Sequence, residues 1–111
     1  MADNYVQEGD VLTLTAPYTV VSGAGAKVGN IFGVALGDVT EAATGEFKTT
    51  GVFDLLAVTA DVAAVGDRIY WDDALKKATI DVTGTDQIGV ATRAKTSSDT
   101  TVRVRLDGIG L

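Results

Sequence analysis

Apolar and polar residues along the chain alternate with a period of two, in short stretches, rather than with the 3.6-residue period of a helix. Val11-Leu12-Thr13-Leu14-Thr15 is the clearest stretch, with Leu12 and Leu14 on one face and threonines on the other. Residues 18–21 are read as a continuation of it, and further strand candidates are residues 31–36, 47–49, 52–58, 68–72, 78–82, 87–93 and 101–106, all rich in Val, Ile, Thr or aromatic residues that suit a pleated surface. Turn formers separate them: Gly37-Asp38, Thr44-Gly45-Glu46, Gly66-Asp67, Thr83-Gly84-Thr85-Asp86 and Ser97-Ser98-Asp99. Pro17 interrupts the first stretch or places residues 18–21 at a sheet edge. Residues 40–43 and 61–64 offer one helical turn each, too short to stand alone. The pattern predicts an all-β chain: a β-barrel or β-sandwich of about eight short strands in one domain over residues 9–111, preceded by a flexible polar N-terminal arm, residues 1–8.

An echo runs through the chain. Gly9-Asp10 and Gly33-Val34-Ala35 return as Gly66-Asp67 and Gly89-Val90-Ala91, 57 and 56 positions later. This suggests two similar β units.

Composition narrows the chemistry. The 111 residues contain no Cys and no His, which removes disulfides, thiolate nucleophiles, the common zinc sites and the usual general base. A net charge of −6 repels polyanions, so direct nucleic-acid binding is not expected. The longest apolar stretches are far shorter than a membrane span, and the N-terminus lacks the basic and apolar regions of an export signal, so synthesis in the cytoplasm is expected. Charge is also uneven. Residues 1–55 hold two basic and seven acidic side chains, net −5, whereas residues 56–111 hold seven and eight, net −1.

Candidate reactive groups have ordinary structural readings. Gly23-Ala24-Gly25-Ala26-Lys27-Val28-Gly29 has neither dinucleotide-loop nor P-loop spacing and reads as a mobile hairpin loop. Asp72 and Asp73, with Asp67 nearby, come after a strand, where aspartate favours turn hydrogen bonds. Ser22, Ser97 and Ser98 have no histidine partner, and Lys27 and Lys48 are expected to be solvated. Trp71 shares a face with Ile69 and is expected in the core, leaving Tyr70 half-exposed. The reading is therefore of a non-enzyme with no cofactor and no metal. What remains is surface. Arg93, Lys95, Arg103 and Arg105 are expected on one outward face of the last two strands, as a candidate contact between subunits, with Asp38, Glu41, Glu46 and Asp54 as acidic counterparts either within the chain or from a neighbouring copy.

The blocks Gly9 to Pro17, Phe32-Gly33-Val34-Ala35, Gly51-Val52-Phe53, Gly66 to Asp72, Ile88-Gly89-Val90-Ala91 and Val102 to Gly108 resemble a family of tailed-phage and prophage capsid decoration, or head cement, proteins. Members are often described only as a domain of unknown function and sometimes as recombinase-like, a label that the absence of a Walker-type loop contradicts. The resemblance implies a compact β domain on the capsid exterior that binds the major capsid protein, commonly as a homotrimer, and locks neighbouring subunits together. It implies a location on the virion after synthesis in the host bacterium. The polar arm, with Asn4, Tyr5 and Val6 as candidate capsid contacts, suits a segment that orders on a partner's sheet edge. A small ligand- or carbohydrate-binding β module of phage or prophage origin is the alternative, and the seven aromatic residues supply it thinly.

Overall fold

The structure, a computed structural model, describes residues 9–111. The proposed arm, including Asn4, Tyr5 and Val6, lies outside the described residues. Among the described residues nine strands form: β1 (Val11–Thr15), β2 (Gly25–Val28), β3 (Ile31–Ala35), β4 (Thr44–Lys48), β5 (Thr50–Leu56), β6 (Arg68–Asp72), β7 (Lys77–Thr79), β8 (Asp86–Ala91) and β9 (Thr101–Asp107). They make two curled antiparallel sheets, of order β1-β4-β3-β2 and β5-β9-β8-β6-β7. The all-β expectation holds, with one strand more than the roughly eight expected.

β2 forms at residues read from sequence as mobile loop, whereas residues 18–21, read as strand, contribute only the isolated Val20–Val39 bridge, and Thr44-Gly45-Glu46, read as a turn, belongs to β4. Gly25 is glycine there because of crowding. A Cβ would lie 2.6 Å from the Phe32 ring and 3.2 Å from Trp71. Ala26 is fully buried beside it, so packing rather than propensity makes this segment a strand.

The two sheets are built on one plan. The outer strand β1 pairs with β4 as β5 pairs with β9, and β3 and β2 come next as β8 and β6 do. Between strands, Val20 and Val39 exchange reciprocal backbone bonds of 2.9 and 2.8 Å, and Ala63 and Lys95 do the same at 3.1 and 2.8 Å. The turn amide of Gly23 donates to Ala35 O, as that of Gly66 donates to Ala91 O. Ala35 N then donates to Ala24 O, as Ala91 N does to Asp67 O. Both turn glycines have positive φ, 86° and 90°, a region that costs any other residue strain. Gly33–Ala35 and Gly89–Ala91 therefore occupy equivalent positions. The counterpart of Gly66-Asp67, however, is Gly23-Ala24 rather than Gly9-Asp10. The chain is a tandem pair of one β unit.

The largest difference between the copies is an inserted strand. Gly29 and Asn30 join β2 directly to β3, whereas the second unit interposes β7 between β6 and β8. β7 reaches β5 through a parallel bridge between Ala57 and Ala78, and Val58 N donates to Ala78 O at 3.0 Å. In the first unit Pro17 stands where Val58 stands in the second and has no N–H to donate.

Alternation along the strands fixes how the sheets stack. In β3, Ala35 faces a small core shared with Val20, Ala26, Val39 and Phe47, while Phe32 and Val34 face a larger one with Leu55, Ile69, Trp71, Ile88 and Val104. Both faces of the first sheet are thus buried around β3, and its far side covers the inward face of the second sheet. Phe32 and Trp71 meet across this seam with ring centroids 4.9 Å apart, and Lys27 Nζ reaches Asp86 Oδ2 at 2.7 Å. The opposite face of the second sheet covers nothing within the described residues.

Candidate interaction surface

Strand β9 has strict alternation. Val102, Val104 and Leu106 are buried, and Thr101, Arg103, Arg105 and Asp107 point outward. On the neighbouring β5, Val52, Asp54 and Leu56 point the same way, with Val52 53% and Leu56 55% exposed. Register places Arg105 between Val52 on β5 and Val90 on β8, and Val90 pairs on its other side with Arg68. All four arginines of the chain, Arg68, Arg93, Arg103 and Arg105, are exposed around this one sheet.

Arg103 lies opposite Asp54 and grips it with two bonds, Nε to Oδ1 at 3.0 Å and Nη2 to Oδ2 at 3.2 Å. The hydrogen bond from Arg103 holds the Asp54 carboxyl below the usual carboxylate range, and the same bond raises the guanidinium pKa. Arg93 stands across a cleft of about 370 Å³ lined also by Asp54, Thr96, Asp99, Thr101 and Arg103. Asp99 is held below its usual range chiefly by the Thr96 backbone amide, so it is occupied in its own turn. Among the described residues Arg68, Arg93 and Arg105 make no ion pair within 4 Å.

Three of the four basic residues expected on this face are there: Arg93, Arg103 and Arg105. Lys95 is not. It is 3% exposed, and its ammonium donates to the carbonyls of Thr59 (2.9 Å), Asp61 (2.6 Å) and Thr96 (3.1 Å). The expected alternation fails because β8 ends at Ala91 and the chain re-enters the fold at the Ala63–Lys95 bridge, turning residue 95 inward as it turns Val39 inward in the first unit. The loop of residues 58–62 is two residues longer than its counterpart 17–19 and supplies the carbonyls of Thr59 and Asp61. Arg68 was not among the candidate residues. Its register with Val90 brings it onto the face, a pairing invisible in sequence because of the β-bulge between Ile69 and Tyr70.

The other candidate groups are committed to structure. Asp72 Oδ1 accepts from the amides of Ala74 and Leu75, and Asp73 Oδ1 accepts from Trp71 Nε1. Lys27 and Lys48, expected to be solvated, are instead half-buried and paired with Asp86 and Asp10. Trp71 is buried and Tyr70 half-buried, as their spacing implied. In the first unit, the positions equivalent to the arginine-lined cleft carry the opposite charge. Glu46 stands where Arg103 stands in the second unit, and Asp38 and Glu41 lie on the adjoining exposed turn.

The chain's surface rather than an internal site thus carries its distinctive chemistry. Compared with curated proteins and with solved structures, the chain matches none. A family described as phage cement protein matches residues 6–106. That match spans nearly the whole chain, both β units included, and the chain belongs to the phage cement protein family.

Proposed function

We propose that this chain binds the outer surface of an assembled phage capsid and stabilises the shell by bridging neighbouring major capsid protein subunits, without catalysis. The observation that carries this reading is the family match across both β units, residues 6–106. The fold supports it. Its carboxylates and lysines are largely spent on turns, ion pairs and a buried ammonium. Meanwhile, a broad sheet face with arginines and exposed aliphatic side chains is left over, a composition common at protein interfaces. The protein acts as a homotrimer on the shell, is made in the host bacterial cytoplasm and ends on the virion exterior. Asn4, Tyr5 and Val6 supply a capsid contact. Co-sedimentation with purified expanded shells tests the reading: the protein should pellet with shells and saturate at a fixed ratio to the capsid subunit. Protein that stays in the supernatant at every concentration refutes it. Deleting residues 1–7 should weaken the binding while leaving the melting temperature nearly unchanged.

A further inference from the structure

Duplication gives each strand position shared by the two units, β7 aside, a counterpart whose environment is known. Across the first sheet one row reads Gly25, Val34, Lys48, Val11, and across the second sheet the equivalent row reads Arg68, Val90, Arg105, Val52. At its β2–β3 end the first row is a packing surface. Val34 is fully buried, and Gly25 is pressed against Trp71 of the second unit. The second row is open, with two arginines that have no ion pair among the described residues and a Val52 side chain half in water. The same backbone surface is therefore used once within the chain and left free once.

Charge says what fits the free copy. On the second unit the corner beside this row carries Arg93 and Arg103. On the first unit the equivalent corner carries Asp38, Glu41 and Glu46, all exposed, with Leu36 exposed among them. Asp38 receives the Ser22 amide and Glu46 the Thr13 hydroxyl, but the Glu41 carboxylate has no partner among the described residues. We infer that the arginine face of the second unit docks the acidic corner of the first unit of another copy of this chain. Arg93 and Arg105 meet Glu41 and Glu46, and Val52 and Leu56 meet Leu36. The two complementary patches sit on different units of one chain, so the contact is heterologous and joins copies head to tail. Opposed patches of opposite sign also exclude the like-with-like pairing that would set the arginines of one copy against those of another.

The inference stands on the chain's own geometry and is tested on free protein, apart from any shell. Native mass and sedimentation are measured at low and high ionic strength for the wild type, for Arg93→Gln/Arg105→Gln and for Glu41→Gln/Glu46→Gln. Circular dichroism and melting confirm that the variants fold. Neither variant touches the Asp54–Arg103 pair or Lys95. Wild-type protein should self-associate, more weakly as salt rises, and each variant alone should associate roughly tenfold more weakly or not at all. An equimolar mixture of the two should recover a one-to-one dimer and nothing larger, because each variant retains one intact patch. Wild-type protein that is monomeric at low ionic strength, variants with wild-type mass, or a mixture that stays monomeric each overturn the inference. Variants that keep self-association and lose only shell binding would assign the face to the capsid instead, and overturn it too. Shell binding by wild-type protein is scored separately, so failure here is distinguishable from failure of the capsid reading.

Discussion

Lys95 and Arg103 are both cations of the second unit, and the structure gives them opposite weights. The Lys95 ammonium is enclosed and serves three backbone carbonyls. Replacing it with Met keeps the stem and removes the donors. The expected cost is about 2–3 kcal/mol, read as a loss of melting temperature, because buried acceptors are left without partners. Arg103→Ala breaks a pair that already stands in water and should leave the melting temperature nearly unchanged. Tyr18 provides a pH test. Its hydroxyl donates to Gly25 O at 2.9 Å, and burial, helped by the charge of Asp73, pushes its pKa up to about 12. The folded state favours the neutral phenol, so the stability it contributes is complete below the ordinary value of 10 and is lost as pH rises from there toward about 12. Tyr18→Phe should flatten the alkaline end of the stability profile, checked by denaturant unfolding at a series of pH values. A profile unchanged by the substitution would assign the alkaline loss to other groups.

At the scale of the element, glycines distinguish close approach from mere looseness. A Cβ on Gly89 would lie 2.0 Å from the carbonyl oxygen of Arg105, a backbone atom of the paired strand, whereas one on Gly25 would meet the tip of the Phe32 ring. Gly89→Ala should therefore part β8 from β9 and cost roughly 3 kcal/mol or more, and Gly25→Ala should cost less, because a ring can shift and a ladder cannot. Thermal unfolding of the two variants gives the order directly. The strands with clean alternation, β1, β6 and β9, were legible in the sequence because one face of each is consistently inward. β2 was not, since Gly-Ala-Lys-Val has neither alternation nor strong strand propensity, and its place is dictated by packing against Phe32 on the adjoining strand and Trp71 from a distant part of the chain. The same limit explains Lys95: the face a residue takes can be counted along a strand, but not across the irregular segment of residues 92–94. Duplication was legible only at Gly33–Ala35 and Gly89–Ala91, because the remaining equivalences are carried by backbone hydrogen bonds that tolerate different side chains.

On the scale of the whole molecule, the layers account for what is spent and what is left over. The first sheet is buried on both faces around β3, and the second on one, so the seam at Phe32 joins the two units. Phe32→Ala should cost about 3–5 kcal/mol and loosen the second unit's core as well as the first, seen as early exchange of amides in β6 and β8. A substitution effect confined to β2 and β3 would mean that the units are held together elsewhere. The arginine face, pointing away from this stack, is left uncovered among the described residues. A cement protein must gain its effect from the shell it joins, so the most direct measurement is the thermal disruption of undecorated expanded shells with increasing amounts of the purified protein. The account predicts a disruption temperature that rises and then levels off once every site is filled, together with bound protein at a fixed ratio to the capsid subunit. Shells that bind the protein to saturation yet come apart at their undecorated temperature would contradict it.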